Sequence, residues 1–370
     1  MRGGERVLER LCQLLPDADI FTLFYDPDAV SPLLRSRKIT SSFLNPLKRF
    51  HRSLLPLMPI ALEQFDLREY DLIVSSESGP AKGVITNATA RHVCYCHTPM
   101  RYLWDLYPLY QKEVIHSTWK RIAAAPFAHY LRMWDYASSA RVDEFVANSV
   151  NTKRRIRRAY RRDSRVVHPP VPVETFSYRP PEDYYLIVSE FVPYKSLGYA
   201  ISFFSRTGRR LKVVGAGEQL AELRKLGARN VEFCGRVPEG QLRGLYSRCR
   251  AFVLPGEEDF GITAVEAQAS GKPVIAFGRG GVLESVPLDV PAGGIFFQNR
   301  NEASLQAAIE KFEAAEFLFE PAAIQAAARR FSTQAFDECM KEVLFSRSES
   351  SVHHNSFTNR YHLIEPSLRP

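Results

Sequence analysis

The sequence predicts an α/β protein of two domains, each a parallel sheet with helices on both faces. Three observations carry this. Strand-like and helix-period segments alternate along most of the chain, and strand-then-helix units in series build parallel sheets. One stretch with five prolines in eighteen residues, "HPPVPVETFSYRPPEDYY", interrupts the rhythm, which then restarts. A chain of 370 residues also exceeds one ordinary core. Two Rossmann-like domains facing across a cleft are therefore expected, at 1–168 and 184–331, with a linker over 169–183. A helix over 332–345 would cross back to the first domain, and 346–370 would form a mobile tail.

In the first block, residues 5–15 place Val7, Leu8, Leu11, Leu14 and Leu15 on one helical face that ends at Pro16. Residues 19–25, 70–75, 91–97, 145–148 and 166–168 read as strands. In the second block the strands "YYLIVSE", "RLKVVGAG", "VEFCGRV", "AFVLPG" and "PVIAF" alternate with helices. Those helices are "SLGYAISFFSR", "GEQLAELRKLG", "EGQLRGLYSRC" and "TAVEAQASG". From Ser346 onward periodicity is lost, which is the basis for the mobile tail.

Hydrophobic residues at 45% and charged residues at 24% describe a globular chain rather than a disordered one. The net charge of +8 is unevenly spread: over 151–165 eight cationic side chains face a single Asp163. That balance favours anionic partners such as phosphorylated small molecules, nucleic acid or an acidic membrane surface. None of the six cysteines forms a Cys-x-x-Cys pair. On a strand Cys94 and Cys96 share one face and His97 points to the other, so both thiols read as buried hydrophobes and no metal is expected. The apolar run 53–62 is too short to span a bilayer and contains Pro56 and Pro59. A reducing, cytosolic compartment is the expectation, with room for peripheral contact at the membrane's inner face.

The most informative stretch is "GEEDFGITAVEAQASGKPVIAFGRGG", residues 256–281. "AFVLPG" is a strand, so "GEEDFG" is a loop at its carboxyl end, where open α/β sheets bind ligands. The next helix begins near Ile262, and a helix N-terminus offers free N–H groups and a positive dipole end to phosphate. Glu258 precedes that helix and Glu266 lies in its first turns. A carboxylate accepts two hydroxyl hydrogen bonds side by side, which suits the vicinal diols of a sugar and a ribose. The motif therefore reads as two sugar clamps flanking a phosphate seat.

The spacing of Glu258 and Glu266, followed by "GRGGVLESV", resembles the retaining nucleotide-sugar glycosyltransferases of family four, group 1, which have the GT-B fold. "RGGERVLERLCQLLPDADIFTLFYDP", "YCHTPMRYLWDLYP", "ANSVNTKRRIRRAY", "HPPVPVETF", "FVPYKSLGYAI" and "VVGAGEQLAELRKL" fall in the family's order. The resemblance covers roughly residues 2–345 and looks nearest to bacterial mannosyltransferases of surface-polysaccharide assembly. It implies that Glu266 holds the nucleotide's ribose, that Glu258 contacts hydroxyls of the transferred sugar, and that Lys195 neutralises the donor diphosphate. Gly3 and Gly4 would let the backbone approach that diphosphate, and His97 would face sugar and acceptor. Phe260, Gly261 and Ile262 would form the helix-start seat. The implied chemistry is front-face attack with retention, the leaving phosphate taking the acceptor proton, without cofactor or metal. The donor would be GDP-mannose or another nucleoside-diphosphate hexose, and the acceptor a glycan or a lipid-linked saccharide.

Two departures stand out. Relatives usually open with a hydrophobic strand before the Gly-Gly turn, whereas this chain starts Met1-Arg2-Gly3-Gly4, so either the true start lies upstream or the first domain lacks its first strand. Many relatives also carry a basic residue where this chain has Glu190, a charge that Arg236 or Arg279 would have to replace. Gly215-Ala216-Gly217 lacks the third glycine of a dinucleotide fingerprint and reads as a tight turn near the nucleotide. The cluster 153–165 reads as a solvated helix face, an anionic-lipid contact or an RNA-phosphate contact. With only Tyr160 interleaved, base stacking and hence nucleic acid fit poorly. The segment 47–59 mixes basic and apolar residues and reads equally as core packing or as a membrane- or acceptor-facing surface. A non-catalytic nucleotide-sugar-binding relic, or an epimerase or hydrolase on the same plan, remain as alternatives.

Overall fold

The computed structural model describes residues 3–108, 111, 117–287, 293–345 and 361–366. The chain divides into two compact units, 1–170 with 336–370, and 171–335. In the first unit the strands are β1 (Asp19–Thr22), β2 (Ile39–Ser41), β3 (Leu72–Glu77), β4 (Arg91–Cys96), β5 (Glu144–Ala147) and β6 (Arg165–Val166). The second unit holds β7 (Tyr185–Val188), β8 (Leu211–Val214), β9 (Val231–Gly235), β10 (Phe252–Leu254), β11 (Val274–Phe277) and β12 (Gly294–Phe297). The last strand is β13 (Tyr361–Glu365).

The first sheet runs β2-β1-β13-β3-β4-β5-β6. Its centre corrects two expectations drawn from the sequence. Among the described residues no strand precedes Gly3, but the sheet lacks nothing, because β13 fills the slot between β1 and β3 in parallel with both. Nor is 346–370 simply a mobile tail: residues 361–365 are built into the sheet as β13, while 346–360 and 367–370 lie outside the described residues.

β13 suits a buried position because alternate residues serve opposite faces. Leu363 packs with Val7, Leu8 and Leu11 of the first helix, Gly3–Leu14, and with Ile20, Val74 and Val93. Ile364 faces the other layer, among Phe21, Phe24, Leu62 and Ile73. The helix Thr333–Phe345 covers the first of these layers with Phe336, Met340, Val343 and Leu344. Polar contacts hold it there. Arg10 grips the Asp337 carboxylate with two donors, and Arg91 donates to the carbonyls of Val343 and Leu344 at the helix's end (2.7 and 3.1 Å).

The second sheet is also all parallel, in the order β12-β11-β10-β7-β8-β9. The proline-rich segment packs onto this unit: Val171 N–H donates to the Phe331 carbonyl at 3.0 Å, and Phe176 is buried in its core. Among the described residues no helix is long and apolar enough to cross a membrane.

The buried strand generates a direct test. Leu363→Ala and Ile364→Ala should each destabilise the first unit by about 2–5 kcal/mol and leave unfolding of the second unit unchanged. Hydrogen exchange during denaturant unfolding separates the two. Unaltered protection in β1 and β3 would show that β13 does not sit between them.

Candidate active site

In the second sheet the chain leaves β7 toward β8 and β9, then returns to build β10, β11 and β12 on the other side. The strand order reverses between β7 and β10, and at such a point the loops diverge and open a crevice beyond the strands' carboxyl ends. Lys195 follows β7 and Glu258 follows β10. The Lys195 Nζ donates to both carboxylate oxygens of Glu258, at 2.6 and 2.5 Å. An ion pair between two residues nominated by the sequence thus bridges the switch point. Both side chains are mostly buried.

The surrounding sequence builds this pair. Residues Pro193–Lys195 form a single 3-10 turn, and Ser196 takes a left-handed conformation (φ 54°) before the helix Leu197–Thr207. The loop carrying Glu258 is pinned by the "GRGG" turn after β11, where Gly281 N–H donates to the Glu258 carbonyl at 2.8 Å. Gly280 sits at φ 81°, and a Cβ there would lie 2.3 Å from that carbonyl oxygen, so no side chain fits. Gly215 serves the other loop. A Cβ on it would stand 1.8 Å from the Ser189 carbonyl, so the β8 turn can support residues 189–191 only as glycine.

Glu266 lies inside the helix Ile262–Ala269, buried, with its carboxylate accepting from the Tyr246 hydroxyl at 2.8 Å. Gly261 occupies the position just before that helix. Phe260 is buried with its ring 5.2 Å from that of Phe331, so this nominated residue offers the site its backbone rather than its ring. Ile262 is half-buried against the same core. Gly217 continues the β8 turn beside the Phe191 backbone. Arg236 is exposed after β9 at the sheet's edge. Arg279 is exposed within the "GRGG" turn itself, its guanidinium 5.7 Å from the Phe277 ring centre. Of the two candidates to offset Glu190, Arg279 therefore stands next to the residues that pin Glu258.

The first unit gathers its own nominated residues. His97 follows β4, its Nε2 2.9 Å from the Ser76 hydroxyl at the end of β3. Gly4, in the first turn of the first helix, lies directly over the imidazole, since a Cβ there would meet Nε2 at 3.5 Å. Gly3 begins that helix. Burial holds the His97 pKa down to about 4, so the ring is neutral at neutral pH. Its backbone is fixed from both sides, by the His97 N–H to Glu77 carbonyl bond (2.7 Å) and the Thr152 hydroxyl to His97 carbonyl bond (3.2 Å).

Below this end of the sheet lies a buried charge cluster that no sequence motif announced. Lys82 is fully buried between Glu77, at 3.4 Å, and Asp135. Trp104 Nε1 and the Tyr160 hydroxyl donate to Asp135 as well, at 2.7 and 3.2 Å. Burial opposes the lysine's charge, but Asp135 and Glu77 overcome it and raise its pKa. Burial likewise pushes Glu77 up to about 7, with Lys82 opposing. Removing one member of such a group strands the others, so Lys82→Met should cost about 3–5 kcal/mol of first-unit stability. Denaturant titration checks this, and pairing the change with Asp135→Asn should recover much of the loss.

Comparison with known proteins now decides the family. A family model for glycosyl transferases group 1 matches residues 176–331, and one for Glycosyltransferase Family 4 matches residues 1–175. The chain belongs to this glycosyltransferase family. Its two parallel-sheet domains are those of the GT-B fold. The family-4 glycosyltransferase is 28% identical over 133 residues to the O-antigen chain mannosyltransferase C of Escherichia coli, covering 34% of this chain and 36% of that one. It is 33% identical over 102 residues to a GDP-mannose-dependent monoacylated α-(1-6)-phosphatidylinositol monomannoside mannosyltransferase of Corynebacterium glutamicum, covering 25% and 26%. In each case the aligned stretch spans well under half of the relative's own length. In structure it resembles HepE of Anabaena, solved with UDP, with a TM-score of 0.67 at 17% identity over 94% of this chain and 97% of that one.

Proposed function

We propose that this glycosyltransferase transfers a hexose, with retention of configuration, from a nucleoside-diphosphate sugar to a glycan or lipid-linked acceptor. The observation that carries this is the Lys195–Glu258 pair at the switch point of the second sheet. It sets a cation and a diol acceptor side by side, ahead of the helix start at Gly261. On this reading a diphosphate shares Lys195 with Glu258, and Glu258 turns its remaining acceptor capacity to sugar hydroxyls. Glu266, held by Tyr246, takes the ribose. The pair is in place before substrate arrives, so little reorganisation accompanies charge development on the leaving phosphate. GDP-mannose is the donor we favour, supported by the two mannosyltransferase relatives. HepE, solved with UDP-glucose, makes UDP-glucose the competitor to test.

Lys195 and the helix start supply the positive charge without a divalent ion on this reading. Calorimetry with GDP and UDP should therefore give the same affinity with and without chelator, and loss of binding on chelation would overturn the metal-free claim. The two glutamates should separate kinetically. Glu258→Gln frees Lys195 for phosphate, so nucleotide affinity should hold or tighten while kcat falls by about 10²–10³. Glu266→Gln should weaken nucleotide binding by about tenfold, the scale of one lost hydrogen bond. Equal binding losses in both variants would overturn the assigned roles.

A membrane-surface acceptor is favoured by one feature of the first unit. The helix Thr118–Ser138 turns Trp119, Ile122, Phe127, Tyr130 and Met133 outward, with Trp119 81% exposed. Leu55, beside the exposed Leu57 and Ile60, packs against the cluster that Leu131 of this helix forms with Met100 and Leu103. Lys48, Arg49, Arg52, Lys120 and Arg121 accompany this surface in sequence. Basic charge beside exposed aromatic and aliphatic side chains suits an anionic lipid surface. The cluster 153–165 fits less well, since Arg155 is tied to Asp105, Lys153 to Asp163, and Arg162 to backbone carbonyls. The chain should sediment with vesicles containing anionic lipid, less so as salt rises. Serine at Trp119, Ile122 and Phe127 together should abolish sedimentation, whereas neutralising Arg154, Arg157 and Arg158 should only weaken it.

A further inference from the structure

A lipid contact would engage only the outer face of the helix Thr118–Ser138. On its other face Leu131, Asp135 and Ser138 are buried at a helical spacing. What this inner face holds is the segment 100–107, which begins three residues after His97. Leu131 forms an apolar cluster with Met100 and Leu103, and Ala128 and Trp104 pack against it. Asp135 accepts from Trp104 Nε1 at 2.7 Å. Arg132 donates from Nε to the Leu103 carbonyl at 2.9 Å, and its guanidinium lies over the Tyr107 ring, 4.8 Å from the centre. The segment itself is built of turns, closed by Leu103 N–H to the Met100 carbonyl (2.8 Å) and Leu106 N–H to the Arg101 carbonyl (2.9 Å). Short turns open readily when left to themselves, so the segment takes its order from what it is fastened to. On its other side Asp105 meets Arg155 of the helix Val150–Tyr160 at 3.3 Å, the helix whose Thr152 holds the His97 carbonyl.

We propose that Arg132 and Trp104 are positioning residues that fasten this segment to the lipid-facing helix, so that the acceptor served best is a saccharide anchored in the same bilayer. This rests on the reading of the chain as a hexosyltransferase whose acceptor arrives beside His97. The reasoning is linkage. When Trp119, Ile122, Phe127, Tyr130 and Met133 enter lipid, the helix that carries them opens less often. Whatever is fastened to its inner face then opens less often too, and by reciprocity an ordered segment favours docking. The fastening is specific. A planar guanidinium combines a hydrogen bond to backbone with contact to an aromatic face, which an ammonium does less well. The indole N–H meets a carboxylate that Lys82 already holds. The bilayer thus fixes the order of the segment and its depth together. A saccharide whose lipid end lies in that bilayer is presented to an ordered segment at high local concentration. A free saccharide meets a segment that is competent only part of the time, and its apparent affinity falls by that fraction.

The test follows backbone hydrogen exchange in residues 100–107 of the full chain, with vesicles of phosphatidylcholine alone or mixed with phosphatidylglycerol. In the wild type the mixed vesicles should slow exchange there by about tenfold, and phosphatidylcholine alone should not. Arg132→Met and Trp104→Phe should sediment with the mixed vesicles as the wild type does, yet lose that slowing. Serine at Trp119, Ile122 and Phe127 together should also lose it, while exchange without vesicles stays as in the wild type. In transfer assays octyl mannoside held in mixed vesicles should have a KM about tenfold below that of methyl mannoside in solution. Arg132→Met should erase that difference with the donor KM unchanged, and Arg132→Lys, which keeps a donor for the Leu103 carbonyl, should restore part of it. The proposal is overturned if vesicles bind without slowing exchange, if the slowing survives in both Arg132→Met and Trp104→Phe, or if the wild type does not bind mixed vesicles. Should neither mannoside accept sugar, the failure belongs to the functional reading, and the exchange measurement alone still decides the role of Arg132. If Trp104→Phe does not fold, Arg132→Met carries the same test.

Discussion

The parallel ladder that seats β13 between β1 and β3 is the constraint on which the first unit depends. A central strand must satisfy hydrogen bonds on both edges and bury side chains on both faces, and this one does so with residues from the far end of the sequence. Its neighbours carry the functional ends of the sheet: Ser76 on β3, then His97 beyond β4. The helix whose first turn covers His97 packs on Leu363 of the same strand. The position of every nominated residue in this unit is thus referred to five residues that the linear order sets more than 260 positions away.

Both units solve the same problem in the same way. Polar side chains are brought to the carboxyl ends of parallel strands, and glycine turns let the backbone close in around them. In the second unit the result is an ion pair across a switch point. In the first it is a neutral histidine against the Ser76 hydroxyl, with a lysine locked between two carboxylates beneath it. The chemical contrast follows from solvation. Lys195 and Glu258 keep some solvent contact and remain available to a ligand. Lys82 has none, and its charge is committed to holding β3 against the helix Thr118–Ser138.

Much of the second unit was legible because its signals are local. The strand "AFVLPG", the turn glycines and the helix "TAVEAQASG" each declare themselves within a few residues, and their order along the chain implies a parallel sheet. Glu258 and Glu266 could be nominated from that pattern, and Lys195 from the family resemblance. Their pairing could not, since residues 63 positions apart meet only because β7 and β10 are neighbours. Tyr246 as the partner of Glu266 was invisible for the same reason. Phe260 belonged to a correct motif, yet its ring turned out to be core.

In the first unit the same local reading misled. "YHLIE" is a short apolar run enclosed by polar residues, and five residues without periodicity around them look like tail. By itself the sequence determined what each segment is able to be: which stretches extend, which coil, where glycine is needed, and that two parallel sheets result. Tertiary structure decided which strand takes the central place and which polar groups share a strand end. Propensity and spacing act over a few residues, whereas a sheet's order is settled by hydrogen-bonding edges and buried faces matched across the whole chain.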